Sequence, residues 1–372
     1  MRSIIRWRRS SVAVLSTLAI SGAALAIAGS PAAARSVDPA PASRPAATTA
    51  QGATGSTARI SKEAWAAGHA KYGTRATAAQ ALAAYWTPAR MRAAKPIEDL
   101  PQYQAAVRKF QRSGKSASKP DRVGPAQSVA PSGKIGPAVT GTSRAANPNF
   151  VYWHPTARTT GKVFFDTPFG RGAQCSASII NSEGRDTVWT AGHCVHGGAG
   201  AGWYWNWTFI PSYDIDLGNP RPYGTWGAVQ LWTRTAWVTG SDFSQDIAVA
   251  IMGTLGGWHI VDYLGGQGLR VNFGVPQWQN SFGYPAEPPF SGGHLWQCWG
   301  WSGWEIGGAT HQIPCDMNRG SSGGPWLQAW DGNWGYLNGV NSRVDRLPGP
   351  TLMKSAYFDN DAWDLYNATR NL

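Results

Sequence analysis

Charged residues are scarce in this 372-residue chain, and they make up only 15% of it. No internal repeat is present, and the 45 glycines follow no strict period, which excludes collagen and low-complexity classes. Beyond the first 30 residues, no apolar stretch is long enough to span a bilayer. What the chain does have is 42% hydrophobic residues, 25 Pro and 21 Trp. This composition excludes disorder throughout and favours a β-rich, loop-rich fold.

The net charge of +12 is unevenly distributed along the chain. From residue 146 onward there are 12 Lys+Arg and 16 Asp+Glu, a net of −4, so residues 1–145 carry +16. A basic chain of this kind suggests nucleic-acid binding only if the basic groups lie in the folded domain. The C-terminal portion is mildly acidic, so we expect no nucleic-acid partner.

The N-terminus has the order basic, apolar, small. An apolar stretch at 12–28 precedes Pro31-Ala32-Ala33-Ala34 and follows four arginines: Arg2, Arg6, Arg8 and Arg9. This order predicts a signal peptide over residues 1–34 and a secreted, extracellular protein. The alternative is a membrane anchor, which the short stretch and Pro31 disfavour. We expect no stable membrane association after the signal is removed. Arg8-Arg9 leaves general secretion and twin-arginine export both open.

The remaining chain divides by composition. Residues 35–60 are rich in Ala, Pro, Ser, Thr and Gly and are expected to lack structure, whereas short helical segments are predicted at 61–65, 78–84 and 102–111. Residues 113–147 are predicted to be a linker. We therefore divide the chain into a pro-segment, 35–147, and a main domain, 148–372.

The main domain shows short strand-like runs separated by Gly, Pro, Asn and Asp turns. Examples are Lys162–Phe165, Thr187–Thr190 and Asp246–Ile251, and only Asp361–Tyr366 has a helical period. The pattern predicts an all-β unit, either a barrel or a sandwich.

All four cysteines, Cys175, Cys194, Cys298 and Cys315, lie in the main domain. An even count in an oxidising compartment indicates two disulfides, for which three pairings are open. Pairing neighbours would close two loops of under 20 residues, each worth roughly 3 kcal/mol by the loop-entropy model. A metal site at His193, Cys194 and His196 is the alternative, but its spacing matches no zinc pattern.

Two short motifs point to a chemistry. Thr190-Ala191-Gly192-His193-Cys194 ends a predicted strand, and Gly320-Ser321-Ser322-Gly323-Gly324-Pro325 lies in a loop. Together they resemble the signatures of the chymotrypsin-like (trypsin-like) serine peptidases over about residues 150–345, most closely the secreted bacterial members that include glutamyl endopeptidases. The resemblance implies two antiparallel six-stranded β-barrels with the active site between them. It also implies a serine endopeptidase acting on protein or peptide substrates, without a metal or organic cofactor.

The residue types fit that reaction. A serine hydroxyl is a poor nucleophile at neutral pH, and an adjacent neutral imidazole activates it by taking its proton. We assign Ser322 as nucleophile and His193 as base. The backbone N–H groups of Gly320 and Ser322 are expected to form the oxyanion hole, and Gly320 suits backbone angles that a Cβ forbids.

The third catalytic residue must be an acid that orients the imidazole. Asp246 heads an apolar run that resembles the family's Asp-Ile-Ala-Leu segment, and an ionised group there needs a partner. Asp242, in a polar turn, is the alternative.

Ser321 stands where the animal enzymes of the family carry an Asp that binds the new N-terminus after activation. That salt bridge is therefore impossible here, and removal of the basic pro-segment is the more plausible activation step. We hypothesise that residues 35–147 form a propeptide that assists folding or blocks the cleft. The alternative is a spacer that tethers the enzyme to a surface.

Substrate-binding candidates are Asp316, six residues before the nucleophile, and Asn341 and Ser342 in the strand that flanks the pocket. Both the Lys/Arg-specific and the glutamyl-specific members of the family carry an acid at the position of Asp316. This residue therefore does not decide after which residue the enzyme cleaves. The flanking strand lacks the histidine of glutamyl-specific members, although Arg343 follows it.

Eighteen tryptophans lie from Trp153 onward, and Trp203, Trp205 and Trp207 alternate along one strand. Such a face either fills the core, which we favour, or stacks on sugar rings. The second reading gives an alternative function, a non-catalytic Trp-rich carbohydrate- or cell-wall-binding relative. A glycosidase that uses Glu305 and Asp316 is a weaker alternative, because their spacing does not pair them.

Overall fold

The structure is a computed structural model that describes residues 48–112, 120, 122–133, 154–306, 308, 310–345 and 351–372. All of these described residues belong to one compact unit. The predicted signal peptide lies outside the described residues, as does most of the predicted linker. Within the described ranges, no helix combines the length and the apolar character that a membrane crossing requires.

The N-terminal part contains short helices at the predicted positions. Its elements in chain order are β1 (Thr48–Ala50), β2 (Ala53–Thr57), α1 (Lys62–Tyr72), α2 (Ala78–Tyr85), α3 (Pro88–Ala93), β3 (Lys95–Pro96), α4 (Pro101–Arg112) and β4 (Gln127–Val129). A 3₁₀ turn, Ile97–Asp99, joins β3 to α4. The first three helices begin at Ser61, Thr77 and Thr87, whose side chains accept a hydrogen bond from the backbone N–H three residues later.

The main domain is built mostly of strands. In chain order it contains α5 (Pro155–Thr159), β5 (Thr160–Thr167), β6 (Gly170–Ile179), β7 (Thr187–Thr190), β8 (Trp205–Pro211), β9 (Trp226–Arg234), α6 (Thr235–Gly240), β10 (Ala248–Met252), α7 (Ile260–Leu264), β11 (Gly268–Val271), β12 (Trp278–Gly283), β13 (Trp296–Trp301), β14 (Gly303–Trp304), β15 (Thr310–Pro314), β16 (Pro325–Gln328), β17 (Tyr336–Val340), β18 (Arg343–Asp345), β19 (Leu352–Ala356) and α8 (Asn360–Thr369).

The first half of the main domain is a closed antiparallel barrel. Its strand order is β5, β6, β7, β10, β9 and β8, and pairing of β8 with β5 closes the ring. The barrel encloses large apolar side chains that include Phe165, Trp189, Trp207 and Val249. Closure leaves no free strand edge within the ring and holds the ends of β7 and β10 in a fixed relation.

The second half has its strands in two sheets. One has the order β13, β12, β16, β17, β11 and β4, in which β11 and β17 run parallel, and the other has the order β14, β15, β19 and β18. The prediction of a mainly β, chymotrypsin-like fold is confirmed. In this half, however, the strands do not form a single six-stranded antiparallel ring.

The expectation that residues 35–60 lack structure is wrong for 48–57. The β1–β2 hairpin extends the first sheet, because β2 pairs antiparallel with β9. Small residues permit this close approach: a Cβ on Gly55 would lie 2.3 Å from the Trp232 ring. The predicted linker also contributes structure, since β4 pairs with β11.

The cysteines pair as neighbours in sequence. Cys175 bonds to Cys194, with Cα atoms 6.2 Å apart, and Cys298 bonds to Cys315, with Cα atoms 5.3 Å apart. The first bond ties the turn that carries His193 to β6.

Candidate active site

His193 and Asp246 are brought together by two paired strands. His193 lies in the 3₁₀ turn Gly192–Cys194 that follows β7, and Asp246 directly precedes the Ile247 that leads into β10. Ala248 of β10 is paired with Thr190 of β7, so the ends of the two strands lie side by side.

The two side chains form a buried hydrogen-bonded pair. His193 Nδ1 lies 2.7 Å from Asp246 Oδ2, and the His193 backbone N–H donates to Oδ1 at 2.8 Å. Both side chains are at most 1% exposed. The Ser342 hydroxyl donates to Asp246 Oδ2 at 2.5 Å, so the carboxylate is held by three donors when Nδ1 carries hydrogen. That tautomer leaves Nε2 with a lone pair that can accept a proton.

The electrostatics favour a basic imidazole. Burial by itself lowers the pKa of His193, but the charges of Asp246 and Glu98, with the hydrogen bond from Asp246, raise that pKa above its ordinary value. Within the described part of the chain, Nε2 is buried and has no hydrogen-bond partner. The nitrogen that would take a proton is therefore unoccupied.

Ser322 lies in the loop between β15 and β16, and β6 supports this loop. The Ser322 carbonyl accepts from the Ser176 backbone N–H at 2.7 Å, and the Ser176 hydroxyl donates to the Gly320 carbonyl at 3.1 Å. Ser176 follows Cys175, whose disulfide partner Cys194 follows His193. One short segment of β6 thus positions both the loop and the turn.

Two glycines of this loop have backbone angles that other residues rarely adopt. Gly320 has φ +93°, and a Cβ there would lie 2.9 Å from the Tyr284 carbonyl oxygen. Gly323 has φ +80°, and its Cβ would lie 2.0 Å from Thr190 Oγ1. Both positions require glycine, and at Gly320 the result is an N–H directed into the site.

The Ser322 hydroxyl donates its hydrogen to Glu98, a residue that the sequence analysis did not single out. Glu98 lies in the 3₁₀ turn between β3 and α4 and is 6% exposed. The Gly320 N–H donates to the same carboxylate, at 3.2 Å to Oε1 and 3.3 Å to Oε2. The Ser322 hydroxyl is thus bound to a side chain of the pro-segment, and among the described residues it does not bind His193 Nε2.

Tyr103 of α4 was also missed. Its ring centroid lies 4.8 Å from that of His193, and its hydroxyl donates to the Ser342 carbonyl at 3.3 Å. The distribution of acidic residues could have drawn attention to this region. Residues 1–145 are strongly basic and carry only five acidic groups, and two of these, Glu98 and Asp99, are adjacent.

The alternative acid, Asp242, has a different local role. Its carboxylate accepts from the backbone N–H of Ser244 at 2.9 Å and from the Ser244 hydroxyl at 2.7 Å, which caps the turn Phe243–Gln245. Ser321, where the animal enzymes have Asp, is buried and donates its hydroxyl to the Asn318 carbonyl at 2.7 Å.

The three substrate-binding candidates fall in different environments. Asp316 is exposed, and Ser342 contacts both Asp246 and Tyr103. Asn341 is fully buried. It accepts from the Ser281 hydroxyl and the Trp326 indole N–H, and it donates to the carbonyls of Phe282 and Ser321. Its side chain therefore supports the Ser322 loop, and this geometry does not favour contact with substrate.

The acid proposed for a glycosidase is bound to two cations. Glu305 lies 2.5 Å from both Arg343 and Lys354. Burial alone would raise the pKa of Glu305, but these cations and the Thr310 hydroxyl lower it to about 2. A carboxyl group held in its ionised form is unsuited to general-acid catalysis.

Among the residues that the structure describes, two groups have metal-ligand side chains close together. One is Cys175, His193 and Cys194, whose two sulfurs are joined in a disulfide and so are not thiolate ligands. The other is Asp214, Asp216 and His294, in which the imidazole lies 3.3 Å and 3.4 Å from the two carboxylates.

The tryptophans divide between the core and the surface. Fully buried ones include Trp86, Trp189, Trp207, Trp226, Trp237 and Trp326. Trp278 and Trp301, on the paired strands β12 and β13, are exposed and pack edge to face with ring centroids 5.7 Å apart.

No protein-family model matches the chain, and no curated protein matches it. Solved structures do. The chain is similar to the thermostable serine protease AL20 from an extremophilic microorganism, at 36% identity and TM-score 0.54, over 57% of this chain and 97% of that one. It is also similar to the protease Anisep from Arthrobacter nicotinovorans, at 34% identity and TM-score 0.53, over 58% of this chain and 97% of that one. With this fold, and with near-complete coverage of both proteases, the chain belongs to the chymotrypsin-like serine peptidases.

Proposed function

We propose that this protein is a secreted serine endopeptidase that hydrolyses peptide bonds through Ser322, His193 and Asp246 by way of an acyl-enzyme. The observation that carries the proposal is the buried His193–Asp246 pair, whose second imidazole nitrogen has no hydrogen-bond partner among the described residues. Cys194, the residue after His193, contacts the Ser322 carbonyl at 3.7 Å. Both similar structures are proteases, which supports proteolysis in general.

In the proposed reaction, Ser322 Oγ attacks the peptide carbonyl carbon as its proton passes to His193 Nε2. The charge that forms on the carbonyl oxygen is stabilised by the Gly320 N–H, together with that of Ser322. The C–N bond then breaks, and the leaving nitrogen takes the proton from Nε2, which leaves Ser322 acylated.

Water completes the cycle. It attacks the acyl carbon as one of its protons passes to Nε2, and collapse of this second intermediate returns the proton to Ser322 Oγ. Asp246 orients the imidazole and stabilises the imidazolium that forms. Each proton removed is returned, so the reaction needs no cofactor.

We further propose that residues 1–34 direct export and that residues 35–147 are a propeptide. Two disulfides in the main domain fit an oxidising compartment. In this proposal the intact chain is a zymogen, and its own propeptide is its first partner.

The test is labelling with a fluorophosphonate, followed by mass spectrometry of the modified peptide. We expect one label per chain, on Ser322, and none in Ser322→Ala. If folded wild-type and Glu98→Ala chains both stay unlabelled after long incubation, the peptidase proposal is wrong. Cleavage of a peptide library would then identify the residue preference.

The exposed Trp278–Trp301 pair supports the carbohydrate-binding alternative, because two accessible indole rings offer a surface on which sugar rings can stack. Tight binding to insoluble cell-wall polysaccharide, lost in Trp301→Ala and accompanied by no labelling, would favour that alternative.

A further inference from the structure

One donor of the proposed oxyanion hole is bound to a carboxylate. Glu98 accepts hydrogen bonds from the Gly320 N–H, which belongs to that hole, and from the Ser322 hydroxyl, the proposed nucleophile. We propose that the hole is a carboxylate-binding site and that residues 95–103 act as its ligand within the chain, so that Glu98 inhibits the enzyme directly. This inference rests on the proposed function.

A carboxylate fits the hole for an electrostatic reason. The oxyanion hole is arranged for a negative charge that substrate develops only during the reaction, and an ionised Glu98 places such a charge there before substrate binds. Hydrogen bonds to an ionised acceptor are about twice as strong as neutral ones. The arrangement also offsets part of the cost of burying the charge, since His193 attracts it as well.

Glu98 blocks the site without being a substrate. The backbone at Ile97–Asp99 forms a 3₁₀ turn, and it is the side chain that reaches Ser322. A carboxylate carbon is a poor electrophile, because resonance and negative charge oppose nucleophilic attack. The ligand therefore persists in contact with the nucleophile.

Tyr103 completes the block at His193. Its ring lies against the imidazole, and its hydroxyl binds the carbonyl of Ser342, the residue that also binds Asp246. The His193 side chain is only 1% exposed in this packing. A substrate would have to displace both Glu98 and Tyr103.

The flanks hold the segment in place. Lys95 and Pro96 pair with Ala173 and Gln174 of β6, and Ile97 is fully buried in the core of the first barrel. Asp99 forms an ion pair with Arg319, 2.7 Å away, which directly precedes Gly320. A flexible tether would not require a buried acid, a strand pairing and an ion pair at the active-site loop.

The experiment measures the rate of fluorophosphonate labelling of Ser322 in the full chain, at early times while gels show the chain intact. We expect Glu98→Ala to label about tenfold faster than wild type, or more, since a charge-assisted hydrogen bond is lost. Glu98→Gln keeps the size but replaces one acceptor oxygen by a donor group, so it cannot accept from Gly320 and Ser322 as the carboxylate does, and we expect an intermediate rate. Glu63→Gln is the matched control: it removes an exposed acid of the same segment, which pairs with Arg90 and Arg171, and should label like wild type.

The outcomes separate the two proposals. If wild type and Glu98→Ala label Ser322 at the same rate, the inhibitory role is wrong and the peptidase proposal stands. If no folded variant labels, both are wrong. If circular dichroism shows that Glu98→Ala does not fold, the comparison of Glu98→Gln with Glu63→Gln decides, and equal rates overturn the inference.

Discussion

The Ser342 hydroxyl donates to the same Asp246 oxygen that binds His193, at 2.5 Å. A carboxylate removed from water needs several donors to stay ionised, and here the donors are the His193 ring, the His193 backbone and Ser342. Ser342 therefore positions the acid without touching the reacting atoms.

Replacing Ser342 by Ala should lower kcat/KM for dye-labelled casein by about tenfold, because one hydrogen bond to a buried charge is lost. Ser342→Thr keeps a hydroxyl and should restore most of the activity, which a purely structural role for the side-chain volume would not predict. Equal losses in Ala and Thr would contradict the positioning role.

The choice between the two acids can be tested with a matched pair. Asp246→Asn should reduce kcat by roughly 10⁴, the loss that the Ser-His-Asp template gives when the imidazole is held in the wrong tautomer. Asp242→Asn should keep nearly full activity, because Asp242 only caps the turn Phe243–Gln245. The reverse ranking in casein hydrolysis would assign the orienting role to Asp242.

The main parts of the proposed site could be read from the sequence because they lie in local motifs. Thr190–Cys194 and Gly320–Pro325 carry their own backbone requirements, visible as glycines. The first two helices lie in segments in which Ala and other good helix formers are prominent. The pairing of neighbouring cysteines was one of three open choices, which only the fold decides.

Glu98 and Asn341 could not be placed in this way. Glu98 binds a serine 224 residues away, and nothing in its local sequence specifies so long-range a contact. Asn341 follows a short strand, where alternation suggests either face, and its buried orientation depends on donors and acceptors from three other segments. Contacts set by tertiary packing leave little trace in the local sequence.

Inhibition by Glu98 should weaken as pH rises. Burial raises the pKa of Glu98, although His193, Ser322 and Gly320 oppose the rise. Burial lowers the pKa of His193, but Asp246 and Glu98 raise it overall, and of these two charges only that of Glu98 is lost when the segment is released. The inhibited state therefore binds more protons than the released state, and linkage favours it at low pH. The window begins near the ordinary carboxyl pKa of 4.5 and extends above the ordinary imidazole value of 6.5.

Tyr103 and Arg319 also lie near Glu98, and neither changes charge in this window. Burial raises the pKa of Tyr103 well above its ordinary value, and the pKa of Arg319 is raised by Asp99 and Glu287, although burial opposes this. The labelling-rate ratio of Glu98→Ala to wild type should therefore fall steadily from pH 5 to pH 9. A ratio that stays constant or rises over this range would contradict the assigned protonation.

Lys162 offers a prediction on stability. Its side chain is buried beside a cavity of about 700 Å³ that residues of the pro-segment and the main domain line. The Lys162 ammonium donates to the Gly292 carbonyl at 2.6 Å and lies near the rings of Phe164 and Tyr213. Burial lowers the pKa of Lys162 to about 7. Between about pH 7 and 10.5 the unfolded chain holds a proton that the folded chain lacks, so this group makes the free energy of unfolding rise with pH.

Lys162→Met should therefore stabilise the chain at pH 7 by roughly 1–4 kcal/mol, the range seen when buried charges are replaced by apolar groups. The gain should shrink toward pH 10, as the unfolded wild-type chain loses its proton. Urea unfolding at both pH values measures this, with exposed Lys71→Met as the control that should change stability little at either. A Lys162→Met chain that is less stable than wild type at pH 7 would mean that the ammonium is better stabilised than its contacts with Gly292 and the two rings imply.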